Sequence, residues 1–101
     1  MSAAVFELAR RYGVAIEHAD LGTWGASELR SEYDPDGPVI RVNVRVLESL
    51  PEPQRDAFVA FAVAHELYHH RESCGEVARL SERSAREAAA DEFARALVSS
   101  T

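Results

Sequence analysis

The feature that most constrains this chain is an apolar segment, from Pro53 to about Arg71, that carries polar side chains within it. Alanine, phenylalanine, valine and leucine occur on almost all sides of a helix drawn through the segment. This pattern predicts a central helix that is largely buried. The segment also contains the sequence HELYH over residues 65–69. Burying histidine and glutamate costs free energy unless they are paired or bound to a metal, so the cluster needs a partner.

The spacing of these residues favours a metal site. At about 100° per residue, His65 and His69 lie roughly 40° apart on one helix face, and Glu66 lies about 60° beyond His69. Both imidazoles can therefore reach one zinc ion at Zn–N distances of ~2.0–2.1 Å. Glu66 is then free to act as general base on water activated by the metal. A chain of this composition contains an HExxH pattern by chance only about 0.02 times.

Two histidines do not complete a catalytic zinc site, which takes three protein ligands and leaves one position for water. The best candidate for the third ligand is Glu87, which shares a face of the next predicted helix with Asp91 at i, i+4. Asp91 is expected to accept the free imidazole N–H of His65 or His69 and so to hold its tautomer. Other candidate ligands stay open, namely His70, Glu92, Cys74 and His18.

His70 and Tyr68 are candidates for contacts with substrate or with the transition state. His70 lies four residues after Glu66, and Tyr68, like Tyr33, could donate a hydrogen bond to an oxyanion. Each also has a structural interpretation. His70 would be exposed at the helix end, and Tyr68 would pack in the core.

The remaining sequence predicts an α+β fold with a small antiparallel sheet. Apolar spacing indicates helices, alternation indicates strands, and the turn signal DPDGP over 34–38 predicts a hairpin. If the last strand is the sheet edge over the cleft, it is expected to bind an extended peptide by strand addition. The predicted elements are a short helix over 3–12, strands over 14–19, 27–33 and 39–46, the buried helix over 53–71, ended by Gly75, and a C-terminal helix over 81–98.

Composition narrows the function classes. With 101 residues, the chain is expected to form a single domain over 1–101. A net charge of -6 without a Lys/Arg cluster argues against direct nucleic-acid binding. The longest apolar run, 57–64, is far shorter than a membrane span, which requires about 20 residues. The lone Cys74 and the acidic N-terminal region predict a cytoplasmic protein.

Two blocks of sequence, over 58–69 and 87–97, resemble the ImmA/IrrE-like zinc metallopeptidase domain of the gluzincin type. In that family the second block reads E-x-x-A-[DN]-x-F-A-x-x-L, and all its fixed positions occur here. The chain departs from the family at Tyr68, where glycine is usual, and at 98–101, where Met-Pro often follows. The resemblance implies a minimal zincin-like fold with a buried active-site helix, in which the metal ligands are His65, His69 and Glu87, the catalytic base is Glu66, and Asp91 supports a ligand.

The resemblance also implies a zinc metalloendopeptidase that hydrolyses a cytosolic peptide or protein, with a transcriptional repressor as one candidate substrate. This substrate class is an analogy, because function belongs to the site rather than to the fold. Two other classes stay open. One is a metal-binding regulatory or partner-binding module with little or no hydrolysis. The other is a structural zinc domain closed by a fourth ligand such as Asp91, Glu92 or His70.

Overall fold

The computed structural model describes residues 3–24 and 27–99, which form four helices, a three-stranded sheet and a two-stranded sheet. The α+β class predicted from the sequence is confirmed. No helix of this described part is both long and apolar enough to cross a membrane. In chain order the elements are α1 (Ala3–Tyr12), β1 (Ala15–Ala19), β2 (Thr23–Trp24), β3 (Ser27–Glu28), β4 (Ser31–Asp34), β5 (Val39–Asn43), α2 (Val44–Ser49), α3 (Glu52–Cys74) and α4 (Arg83–Ser99).

Helix α3 is the central element and packs against α1, α4, β4 and β5. Four of its seven buried residues are alanine or valine, which lets the neighbouring helices approach closely. Gly75 ends the helix in a left-handed conformation with φ of 79°, which other residues rarely adopt. The buried core is formed mainly by α3, which contributes Ala60, Val63, Ala64 and Leu67. Around these pack Val5 and Ala9 of α1, Ile40 and Val42 of β5, Ala94 of α4, and Val14, which precedes β1.

The three-stranded sheet has the order β1-β5-β4. Strand β5 runs parallel to β1 and antiparallel to β4, so the sheet is mixed and the prediction of an antiparallel sheet was wrong. The condition for strand addition at the strand beginning at Val39, that it is the sheet edge, is not met. That strand is β5, which is paired on both sides, and the edge beside α3 is β4. Alternation of apolar and polar residues identifies a strand but not its neighbours.

The strand predicted over 39–46 ends at Asn43, where α2 begins. The Asn43 side chain is fully buried, and its Oδ1 accepts hydrogen bonds from the backbone of Arg45 and Leu21, both at 3.1 Å. Its Nδ2 donates to the carbonyls of Leu29 at 2.7 Å and Gly22 at 3.3 Å. Asn43 therefore caps α2 and also anchors the segment before β4. The alternation of valines that continues to residue 46 belongs to a helix.

The strand predicted over 27–33 is interrupted. Its first part is β3, which pairs with β2, and its second part is β4, which pairs with β5. The residues between them, Leu29 and Arg30, are exposed. The helices are close to their predicted bounds, with α1 unchanged, α3 extended at both ends and α4 shifted by one or two residues.

Candidate metal centre

Helix α3 presents His65 and His69 side by side, one turn apart. Their ring centroids are 5.0 Å apart, and their Nε2 atoms lie 3.3 Å from each other. Both side chains are mostly buried, with exposed fractions of 16% and 18%. The i, i+4 spacing predicted from the sequence therefore brings two imidazole nitrogens to one point.

Helix α4 brings Glu87 to the same point. Its Oε1 lies 3.1 Å from Nε2 of His65, and its Oε2 lies 2.9 Å from Nε2 of His69. The close approach of α4 to α3 is possible because Ala90 and Ala94, which follow on α4, have no exposed surface. Among the described residues, His65, His69 and Glu87 form the group whose ligand atoms, all within 4.8 Å of one another, could hold a metal ion.

A carboxylate holds the outer nitrogen of each imidazole. Oδ1 of Asp91 lies 2.8 Å from Nδ1 of His65, the arrangement expected from the sequence. Oε1 of Glu72 lies 2.8 Å from Nδ1 of His69. In the tautomer in which each Nδ1 donates its hydrogen to its carboxylate, the Nε2 lone pairs are directed at Glu87.

Glu72 was not predicted as a member of the site. Its spacing of i+3 from His69 was the available signal, because residues three apart in a helix are neighbours on one face. The side chain is only 7% exposed, and Oε2 is buried without a hydrogen-bond partner among the described residues. Burying a carboxylate costs free energy unless it accepts a hydrogen bond, and the partner of the Glu72 carboxylate is Nδ1 of His69.

The fit of a metal can be judged from the two Nε2 atoms and the carboxylate of Glu87, which face one another. With both Nδ1 atoms protonated, the two Nε2 atoms and the Glu87 carboxylate are all acceptors, so they repel unless a cation or an extra proton lies between them. Tetrahedral zinc with bonds of ~2.0–2.1 Å separates its ligand atoms by about 3.3 Å. The two Nε2 atoms are 3.3 Å apart. Two imidazoles and one carboxylate therefore fit a divalent metal in both chemistry and spacing.

Glu66 lies on the inner side of this cluster, with 7% of its surface exposed. The hydroxyl of Ser31, at the start of β4, donates a 2.7 Å hydrogen bond to Oε2 of Glu66. Burial raises the pKa of Glu66. The hydrogen bond from Ser31 and the charges of the nearby His65 and His69 oppose that shift. Ser31 carried no signal in the sequence, because only the register of β4 brings it to α3.

An open groove runs over the cluster between β4 and α4. One end is a cleft of about 330 Å³ lined by Phe61, Ala62 and Arg30, and it includes His65 and Asp91. The other end is a cleft of about 410 Å³, whose walls are Tyr33 and Pro35 on one side and three arginines on the other. Four residues line both clefts, and they are Leu29, Ser31, Glu66 and Glu87.

The structure places the other candidate residues away from the cluster. His70 is buried, with Nδ1 at 2.8 Å from Oη of Tyr33 and Nε2 at 3.2 Å from Sγ of Cys74. Tyr68 packs between the helices, its ring 6.1 Å from that of His69 and 5.8 Å from that of Phe93. Two further candidates, Glu92 and His18, have exposed side chains.

Fold and site together define a small α+β domain with a three-residue group that could hold a metal ion in an open groove. No family model matches the chain, and no match was found among curated proteins or solved structures. The likeness to the ImmA/IrrE-like domain therefore stays a prediction that rests on the motifs.

Proposed function

We propose that this chain is a zinc-dependent metalloendopeptidase that cleaves a cytoplasmic peptide or protein. The observation that carries the proposal is the position of Glu66, a buried carboxylate beside the group formed by His65, His69 and Glu87. Three protein ligands leave one position of a tetrahedral metal open, which is the arrangement of catalytic rather than structural zinc sites. The groove gives a substrate access to that position.

Each residue of the site has a distinct task in this proposal. Zinc held by the three ligands would supply a Lewis acid and lower the pKa of water. Asp91 and Glu72 keep the two imidazoles in the tautomer that directs Nε2 inward. Glu66 takes a proton from the attacking water at Oε1 and passes it to the leaving amine. The Ser31 hydroxyl fixes the carboxylate of Glu66 by holding Oε2.

Strand β4 supports binding of an extended substrate. Among the described strands, β4 pairs only with β5, so its other side is an open edge, and Ser31 and Tyr33 of β4 line the groove. A peptide added beside β4 would satisfy the backbone groups of that edge and would pass over Glu66. Binding through the backbone is independent of sequence, so selectivity must come from side-chain pockets. A transcriptional repressor is one candidate substrate, and this rests on the resemblance alone.

The proposal is tested with the zinc-loaded protein and reduced, alkylated casein as an unstructured substrate. We expect about one zinc per chain, measured by elemental analysis, and cleavage products detected by mass spectrometry. Glu66→Gln should retain zinc and lose on the order of 100-fold or more of the cleavage rate, because the general base is removed. Glu92→Gln is the matched control, since Glu92 is exposed on the same helix as Glu87, and it should retain both properties.

Three outcomes would contradict the proposal. Zinc binding without cleavage in wild type would favour the metal-binding regulatory or partner-binding module. Absence of zinc after loading would reduce the cluster to a network of histidine–carboxylate pairs. Equal cleavage by wild type and Glu66→Gln would place the activity elsewhere or in a contaminant.

A further inference from the structure

Three of the eleven arginines in the chain line one end of the groove. They are Arg79, in the connection between α3 and α4, and Arg83 and Arg86, in the first turn of α4. Arg83 lies four residues before Glu87 and so shares its helix face. The basic end of the groove therefore adjoins the metal cluster directly.

The guanidinium groups of Arg79 and Arg83 have no ion pair or hydrogen bond with the described residues. Arg86 donates one hydrogen bond, at 3.2 Å, to the carbonyl of Leu80. By contrast, Arg41 is paired with three carboxylates and Arg45 with Asp20. The positive charge of this cleft is thus available to a ligand.

The acidic residues in the same cleft form no ion pair with its three arginines among the described residues. Both oxygens of Glu87 contact the imidazole nitrogens, and Oε2 of Glu66 is held by Ser31. Oε1 of Glu72 contacts His69, and its Oε2 is buried without a partner, so it makes no bond to an arginine. A bound divalent metal would add further positive charge. With three arginines and three glutamates the cleft is formally neutral without a metal and positive with a divalent one, in a chain of net charge -6.

We propose that this end of the groove selects substrates with aspartate or glutamate side chains on one flank of the scissile bond. The inference rests on the proposed peptidase function. Guanidinium groups bind carboxylates through paired, charge-assisted hydrogen bonds. A peptide extended along β4 advances about 3.3 Å per residue, so the arginines are reached within a few residues of Glu66. The wall formed by Tyr33 and Pro35 confines the peptide on the opposite side.

The experiment compares blocked peptides that differ only in glutamate or glutamine at each position along the chain. Acetylated and amidated ends exclude recognition of a terminal carboxylate. Cleavage by the zinc-loaded wild type is followed by mass spectrometry, and binding to zinc-loaded Glu66→Gln is followed by fluorescence anisotropy of the labelled peptides. We expect glutamate on one flank to raise kcat/KM and affinity roughly five- to tenfold, decreasing with added salt.

The variant Arg79→Gln/Arg83→Gln should lose this preference and still cleave the glutamine peptides. Arg10→Gln/Arg95→Gln makes the same change in net charge at two exposed positions outside the groove and should keep the preference. Equal treatment of glutamate and glutamine peptides by wild type, in cleavage and in binding, overturns the inference and leaves the peptidase proposal standing. A glutamate preference in binding without any cleavage supports the acidic ligand and overturns the peptidase. A preference that persists in the Arg79/Arg83 variant overturns the assignment to this cleft.

Discussion

Helix α3 presents two different histidine environments within six residues. His65 and His69 each have a carboxylate at Nδ1, and their Nε2 atoms converge on Glu87 at the groove. His70 follows His69 directly but points to another face of the helix. There, its ring nitrogens meet the hydroxyl of Tyr33 and the thiol of Cys74.

The comparison shows that the partners of an imidazole determine what it can bind. Carboxylates at Nδ1 leave Nε2 with a free lone pair, whereas a hydroxyl and a thiol occupy both nitrogens of His70. The ring of Tyr12 covers His70 further, at 5.0 Å. Burial lowers the pKa of His70, and the charge of Glu76 opposes that shift. His70 therefore has the surroundings of a neutral, structural histidine.

The largest effect on zinc affinity is expected when one of the three candidate ligands is removed. His69→Ala and Glu87→Ala each remove one of three ligands, so zinc affinity should fall by on the order of 100-fold or more. His70→Ala should keep one zinc per chain, since its nitrogens face away from the cluster. Titration calorimetry with zinc, at equal protein concentrations, measures the three variants. Loss of zinc in His70→Ala would contradict the distinction between the two environments.

The next effect concerns the carboxylates behind the ligands. Glu72→Gln and Asp91→Asn should each weaken zinc binding about 10- to 100-fold while the stoichiometry stays at one. The effect of Glu72→Gln should be the larger, because the Glu72 side chain is 7% exposed and that of Asp91 is 43% exposed. A chelator competition assay resolves this range. Unchanged zinc affinity in both variants would show that the carboxylates at Nδ1 do not contribute to metal binding by the imidazoles.

The sequence predicted the proximity of His65, His69 and Glu87 better than it predicted the sheet. The local spacing of His65, Glu66 and His69 on one helix determines their geometry, and Glu87 and Asp91 follow the same rule on the next helix. Ser31 depends on the pairing of β4 with β5, which joins residues far apart in the chain and has no signal in the pattern. The same limit made β5 appear to be an edge strand. Asn43 ended that strand through hydrogen bonds to a loop 14 to 22 residues away.

A smaller effect belongs to the structural histidine. Tyr33→Phe removes the hydroxyl that contacts Nδ1 of His70 and should cost about 1 kcal/mol of the free energy of unfolding. Zinc affinity should stay within threefold of wild type. Urea denaturation of the metal-free protein measures the first quantity, and titration calorimetry measures the second. A large change in zinc affinity with no change in the free energy of unfolding would show that the Tyr33–His70 contact supports metal binding rather than the fold.

The smallest effect lies at the rim of the His70 environment, at Glu76. The hydroxyl of Tyr12 donates a hydrogen bond to Glu76, and this bond, with the guanidinium of Arg71 and the nearby His70, lowers the pKa of Glu76 below its usual value of 4.5. A lowered pKa in the folded state contributes stability at pH above 4.5, and that stability is lost as the pH falls through the lower value.

Wild type should therefore be slightly more stable than Glu76→Gln at neutral pH, and the difference should vanish in acid. Urea denaturation of both metal-free proteins across the acid range measures this difference. Tyr12→Phe should reduce it, because the strongest hydrogen bond to the carboxylate is removed. A difference that is independent of pH would show that Glu76 acts through packing alone.

The hydrogen bonding of Asn43 has a consequence for anyone who redesigns this groove. Its amide accepts two backbone hydrogens and donates to two carbonyls, which no aspartate, serine or alanine can do from the same place. The segment it anchors leads directly into Ser31, and Ser31 holds Glu66. A designer could vary the lining of the groove widely, but would have to treat this distant asparagine as part of the site.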